Sequence, residues 1–399
     1  MKMAWFVFNR VRQVIEWLWR ISRGFFMCWL TRVFAPIARG VLFAIGRPEE
    51  QGSRDEPEGN GENKPQATPP QVRVEDSGGQ LEAGSGTSDP DPRSEENEAD
   101  DEFDSEEYRV ETSDEFYCDY DSTWEAEEHQ GSTHRRGRRL EAARCQYKFS
   151  RFENAARDMQ NYRHDYPSQI RLQSWNLNIP SDNDKPNLDF YLGNSPSLPD
   201  GVYIHNFHDD WKGNYDTLEH VHTFIQWLFP LQEPGMNYDA STLTKEEITE
   251  FLKSNTAKEN LLKSYELMLD FYGIELCNKK TGKVRRAPNW RQRFYNLNNK
   301  THNNLRITRI LKCLGTLGYP HYQAPLVQFF LEETLINGEL PNMKESVLNY
   351  FVFAVLDKKQ RRNLIKFAYL NYDPKAEFVW CPRKIQDLWS QLSVSKPQK

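Results

Sequence analysis

The second half of this 399-residue chain predicts an all-α domain of seven to nine helices. Three observations carry that expectation. Between about residues 141 and 387, Trp, Tyr, Phe, Leu and Ile recur at three- and four-residue spacing; the segments so marked end at Pro or Gly; and alternating runs that would mark strands are almost missing.

Taken in order, Arg151 to Tyr166 reads as a helix stopped before Pro167, followed by a polar, Pro-rich, irregular passage through Asp200. Trp211 to Phe229 reads as one helix, striped by Tyr215, Leu218, Val221, Phe224, Ile225 and Leu228. Thr244 and Glu247 stand at capping-box spacing and predict a helix from Lys245 to about Lys253. Ala257 to Tyr272 follows, with Gly273 placed for a left-handed C-cap. Asn278 to Arg286 reads as a basic loop, Asn289 to Leu297 as a short helix, and Asn303 to Leu317 as a longer one. On that last helix Leu305, Ile307, Ile310, Leu311, Leu314 and Leu317 form the expected buried face, with Arg306, Arg309 and Lys312 turned to solvent. Helices starting near Pro325, then over Met343–Leu356 and Arg361–Tyr372, complete the set, and Phe378 to Trp380 reads as a closing strand or extended arm. Glu332 and Glu333 are adjacent, so a helix splays them about 100° apart; they read as solvated or capping acids rather than a catalytic pair.

Charge divides the chain into three regimes. Residues 1–48 hold eight bases and one acid (net +7), and residues 49–128 hold 28 acids and five bases (net −23), within a whole-chain charge of −7. The first regime mixes Trp5, Phe8, Trp17 and Trp19 with Arg12, Arg20 and Arg23, but its longest uncharged run, Gly24 to Thr31, is far too short to span a bilayer. It reads as an amphipathic segment lying on an anionic membrane surface, the competing reading being a helix that packs on protein. Residues 49–130 read as a disordered acidic linker, although Phe103, Tyr108, Phe116, Tyr117, Tyr120 and Trp124 are spaced through it in the manner of a docking element. Residues 131–387 are the expected helical domain, and 388–399 a flexible tail.

The chemistry of catalysis has no signature here. No phosphate-binding Gly loop, HExxH, paired CxxC or nucleophile-elbow sequence occurs. The six cysteines are scattered, Cys313 lies in an apolar stripe, and His205, His208, His220 and His222 have no ligand pattern beside them, so neither metal nor cofactor is expected. Three basic clusters remain: Arg135–Arg139, Lys279–Arg293 and Lys358–Arg362. They read as nuclear-import signals, as solvated surface, or as internal partners of the acidic segment. Nucleic acid is disfavoured, because the arginines of RRNLIK have no interleaved aromatic platform.

Four stretches carry a resemblance to a known family: TFIQWLFPLQEPGMNYDA (Thr223–Ala240), KSYELMLDFYGIEL (Lys263–Leu276), HNNLRITRILKCLGTLG (His302–Gly318) and APLVQFFLEETL (Ala324–Leu335). They resemble the conserved domain of the opioid growth factor receptor family, and CDYDSTWEAEE (Cys118–Glu128) resembles its acidic opening, interrupted by Asp119 and Tyr120. The likeness covers about residues 118–384 and departs in the aromatic, basic opening segment and in ending soon after the domain, as in a receptor-like paralogue with a shortened C-terminus. It implies a non-enzymatic, membrane-associated regulator of cell growth that binds an opioid peptide, methionine-enkephalin, at the nuclear envelope or perinuclear membrane, with cytoplasm and nucleus as the other setting. A protein-interaction adaptor without opioid-peptide binding is the rival reading. If peptide binds, a groove between helices lined by aromatics is expected. Trp227, Phe229, Tyr265, Tyr272 and Trp290 are the candidates, with Arg306 and Arg309 for the peptide's carboxylate.

Overall fold

The computed structural model describes residue 103 and residues 106–127, 142–166 and 184–394, all within one unit spanning Asp101–Lys399. The amphipathic segment 1–48, most of the acidic linker and the Arg135–Arg139 cluster lie outside the described residues.

Nine helices of nine residues or more, the Lys344–Ala354 run counted as one, frame the core among the described residues, as the periodicity predicts. The first, α1 (Ala142–Arg163), buries Phe149, Phe152, Ala156 and Met159 at three- and four-residue spacing. Four short helices follow: α2 (Pro186–Tyr191), α3 (Ile204–Asp209), α4 (Tyr215–His220) and α5 (Ile225–Leu228). Thus the single helix expected over Trp211–Phe229 is two. The ladder stops at Val221, whose backbone is extended (ψ 131°), and buried Arg306 takes up the carbonyls freed there.

Helix α6 (Lys245–Lys253) starts where Thr244 predicts, with Thr244 Oγ1 accepting from the Glu247 amide at 3.1 Å. The Glu247 side chain returns toward the Thr244 amide as a capping box requires, and it does more. It crosses to α2, accepting from the amides of Asn187 (2.7 Å) and Leu188 (2.9 Å), and so caps a second helix. Central α7 (Asn255–Tyr272) is capped by Ser254 and ends at Gly273, whose φ of 78° is the left-handed conformation a C-cap requires. It packs against α2, α3, α6 and α8 (Trp290–Asn299).

The basic stretch after α7 is a hairpin rather than a loop. Strand β3 (Ile274–Asn278) pairs antiparallel with β4 (Lys283–Arg286), Ile274 facing Arg286, with a bulge between Leu276 and Asn278. Upstream, β1 (Val110–Glu111) and β2 (Ala126–Glu127) pair as a two-residue parallel ladder. Helix α9 (His302–Thr316) runs through the core, but Leu305 is 67% exposed while Arg306 and Lys312 are buried, reversing the face expected for those three. α10 (Gln323–Leu331) continues into a widened turn, Glu332–Ile336, which carries Glu333 inward. There Arg286 grips it with a two-pronged fork (Nε to Oε1 2.7 Å, Nη2 to Oε2 2.5 Å), so Glu333 is no solvated acid.

The last elements are α11 (Lys344–Ser346 running on through Val347–Phe351 to Val352–Ala354), α12 (Lys358–Asn371) and α13 (Arg383–Val394). α11 is almost wholly buried. Phe378 to Trp380 is an extended arm, not a strand. A tail beginning at 388 does not fit α13, because Trp389 is 1% exposed, its ring 5.7 Å from those of Tyr369 and Trp124.

Candidate peptide interface

The seven residues proposed to take a peptide do not line one groove. Trp227, Phe229, Tyr265 and Tyr272 are at most 3% exposed, and the space bounded by Tyr265, Tyr272, Ile307 and Phe330 is too narrow for a water molecule. The hydroxyls of Tyr265 and Tyr272 are buried without hydrogen-bond partners, and burial pushes both phenols upward. Tyr272 and Tyr265 are packing groups.

Arg306 is a positioning cation. Its Nη1 donates to Leu218 O (2.7 Å) and its Nη2 to Val221 O (2.8 Å), bridging the break between α4 and α5. Arg309 Nε donates to Phe229 O at 2.6 Å. Burial lowers both guanidinium pKa values, but every polar contact shown serves the chain's own backbone or side chains. Arg306, with both Nη atoms engaged, holds no free fork for a ligand carboxylate. One turn on, buried Lys312 bridges Asp158 (3.1 Å) and Glu233 (2.9 Å). Beside Arg306, Glu219 accepts from Asn296 (2.7 Å) and faces His302 Nε2 at 2.9 Å. Burial alone would raise that carboxyl, but these hydrogen bonds outweigh it and bring it down to about 2.

Trp290 alone of the seven presents a partly exposed ring with cations around it. Arg286 lies 4.0 Å and Arg291 4.7 Å from the ring centroid, the first held in place by Glu333 and the second exposed. One helical turn after Arg291 stands Tyr295, 74% exposed. The outer face of α8 therefore offers a half-buried indole, an exposed phenol and an exposed guanidinium on a rigid helix whose other side is fixed by Phe294, 6.3 Å from Phe329. Sequence reading found Trp290 but not Arg286, Arg291 and Tyr295 as its neighbours; the i, i+4 spacing of Arg291 with Tyr295 was a signal, whereas Arg286 reaches the ring from β4, which no helical spacing reveals.

A second surface is already filled. Residues 106–127, expected to be disordered, lie across α1, α12 and α13 with Tyr108, Phe116 and Trp124 at most 5% exposed. Apart from one turn at Glu106–Tyr108 and the β1–β2 ladder, this strap has no regular structure. Its bed reads it like a bound peptide. Arg362 Nε donates to Thr123 O (2.8 Å), Arg361 Nε to Thr123 Oγ1 (2.7 Å), and Lys358 pairs with Glu125. Asp114 caps α13, accepting from the amides of Arg383 (2.7 Å) and Lys384 (3.0 Å). Within the cluster KKQRR the two arginines serve the strap contact: Arg361 and Arg362 are 2% and 3% exposed, and burial, with Arg163 nearby, takes Arg361 down to about 10.

The fold and these surfaces define an all-α domain with a closely packed core and basic, aromatic surface patches. Residues 180–386 match the family described as the opioid growth factor receptor (OGFr) conserved region, and the chain belongs to that family. It is 48% identical over 254 residues to the mouse opioid growth factor receptor, covering 63% of this chain and 39% of that one. Against the human opioid growth factor receptor it is 50% identical over 234 residues, covering 59% and 34%. Against the rat opioid growth factor receptor-like protein 1 it is 49% identical over 247 residues, covering 61% and 50%. The chain thus spans about a third to a half of the relatives it matches. No solved structure matches it. Among the described residues no group of three or more His, Cys, Asp or Glu side chains is placed to hold a metal ion, and no helix is long and apolar enough to cross a membrane.

Proposed function

We propose that this chain is a non-enzymatic, membrane-associated peptide-binding regulator of cell growth, that methionine-enkephalin is its opioid peptide, and that the peptide lands on α8. Kinship with opioid growth factor receptors supports the ligand class. The observation that carries the placement is Trp290, partly exposed with Arg286 and Arg291 against its ring, and Tyr295 exposed one turn beyond Arg291. The peptide's Tyr and Phe stack on the indole and phenol, and its carboxylate pairs with Arg291. Residues 1–48 hold the protein to an anionic membrane of the nuclear envelope or perinuclear region. Calorimetric titration of methionine-enkephalin into the full chain, with a scrambled peptide as control, tests this. One-to-one selective binding that is lost in Trp290→Ala is the expected result; no binding to a folded chain would overturn it. Co-sedimentation with phosphatidylserine vesicles, lost when residues 1–48 are removed, tests the membrane contact.

An adaptor reading is favoured by a different loop. Buried Asn237 donates through Nδ2 to Leu198 O (2.7 Å) and Thr223 O (3.1 Å), and that anchor holds Met236 54% and Tyr238 67% exposed on either side, near Leu198 at 48%. Partner capture lost in Tyr238→Ser, without enkephalin binding by the parent chain, is the outcome that selects the adaptor.

A further inference from the structure

We infer that the bed formed by α1, α12 and α13 is a docking site for acidic peptides bearing spaced aromatic anchors, and that residues 106–127 are its resident, exchangeable occupant. This stands apart from the enkephalin reading, which places its ligand on α8. The strap has little regular structure beyond one turn and the β1–β2 ladder, and side chains and a helix end of the bed contact it along its length. Its recognition has three parts. Aromatic anchors are pocketed: Trp124, stacked on the strap's own Tyr108 at 6.2 Å, meets Trp389 of the bed edge-on at 5.7 Å, while Phe116 lies against Phe149 at 5.5 Å and under Arg383 at 4.7 Å. Carboxylates are read individually: Asp114 by the first amides of twelve-residue α13, Asp121 by buried Arg163 at 3.3 Å, and Glu125 by Lys358. Strap carbonyls are read by cations, Thr123 O by Arg362 and Arg109 O by Lys384 at 2.6 Å.

These features fix the class of partner. An incoming segment needs a carboxylate over the α13 N-terminus, an aromatic two residues later as Phe116 follows Asp114, and an aromatic followed by an acid as Glu125 follows Trp124. A basic peptide meets Lys358, Arg362, Arg383 and Lys384 as like charges and is refused. The matched family region, residues 180–386, includes α12 and the first turn of α13, but neither α1 nor the strap.

Hydrogen exchange on the full chain is the first test. Amides of residues 106–127 are expected to exchange through local opening at least 100-fold faster than the buried amides of α12. Exchange of the strap only together with α12, by global unfolding, would overturn the inference. The second test uses a fluorescein-labelled peptide of residues 103–127 and the full chain carrying Asp114→Ala and Glu125→Ala, which weaken the resident strap at half-exposed and exposed positions without touching its aromatics. Expected are one peptide per chain, competition by unlabelled peptide, at least tenfold weaker binding of a peptide carrying the same two substitutions, and no uptake of a scrambled sequence. A folded variant that takes no peptide, or takes the scrambled one equally, refutes exchange. A variant that no longer folds refutes it too, because the strap is then part of the core.

Discussion

Glu247 gives the sharpest test of the packing described here. It is fully buried, and its carboxylate accepts from the backbone amides of Asn187 and Leu188 and from Asn187 Nδ2 at 3.0 Å. Glu247→Ala leaves two buried amides without an acceptor, each costing about 1–3 kcal/mol, and opens a small cavity; release from desolvating a carboxylate returns part of that. The net expectation is a loss of roughly 3 kcal/mol, or about 6–12 °C in Tm for a domain of this size. Glu247→Gln behaves differently. Its carbonyl oxygen still accepts from both amides, and its new NH2 finds the Asn187 carbonyl, which has no hydrogen-bond partner, after an amide flip. Burial raises the Glu247 pKa against the pull of these same hydrogen bonds. A carboxyl raised in the fold stabilises below its unfolded value and loses that contribution as pH rises through its folded value. The Gln variant should therefore match or exceed wild type at pH 7. Urea unfolding at constant m-value measures both. An Ala variant within 1 kcal/mol of wild type, or a Gln variant as weak as Ala, refutes the account of α2 capping.

Other expectations can be checked on the same instrument. Tyr265→Phe and Tyr272→Phe each remove a buried hydroxyl without a partner and should be neutral or stabilising by about 1 kcal/mol, whereas a peptide-contacting role for those phenols predicts lost binding. Gly273→Ala forces a side chain into a φ of 78° with its Cβ 2.7 Å from the Trp290 backbone, and should cost about 2 kcal/mol or more in unfolding experiments. His208, whose Nε2 lies 2.9 Å from Ser264 Oγ, is lowered to about 4, first by burial and then by Lys263. Its fold therefore prefers the neutral ring, with stability complete above pH 6.5 and lost as pH falls toward 4. About 2 kcal/mol of that fall, after discounting partial exposure, should vanish from the pH profile of His208→Gln. Lys312→Met should cost only about 1–2 kcal/mol, because Asp158 and Glu233 are partly exposed and regain water when the cation leaves.

What could be read from the sequence follows the physics of each signal. Helix ends written locally, by Thr244, Gly273 and Pro325, came through because a cap depends on a few neighbouring residues. Buried cations did not. Arg306 on a helix face reads as solvated because burying a guanidinium is costly, and nothing local reveals that a broken helix 85 residues earlier offers it two carbonyls. The strap was missed for the converse reason. Its acidity reads as disorder, yet Asp121 and Glu125 meet cations, and Asp114 a helix N-terminus, more than 40 residues away in sequence, and its aromatics supply the burial that composition averaged over 49–130 conceals. The hairpin was hidden by brevity: four residues of β4, all but one charged, carry little alternation. Of the proposed peptide site only Trp290 keeps an accessible ring, since aromatic spacing cannot separate core from groove.

The central claim, that α8 receives an opioid peptide, is met most directly by photo-crosslinking. Methionine-enkephalin carrying benzoylphenylalanine in place of its Phe would be irradiated with the full chain and the labelled residues located by mass spectrometry. Label concentrated between Arg286 and Asn299, competed by unmodified peptide and abolished in Trp290→Ala, is the predicted result. Competable label that falls elsewhere, or survives that substitution, contradicts the placement.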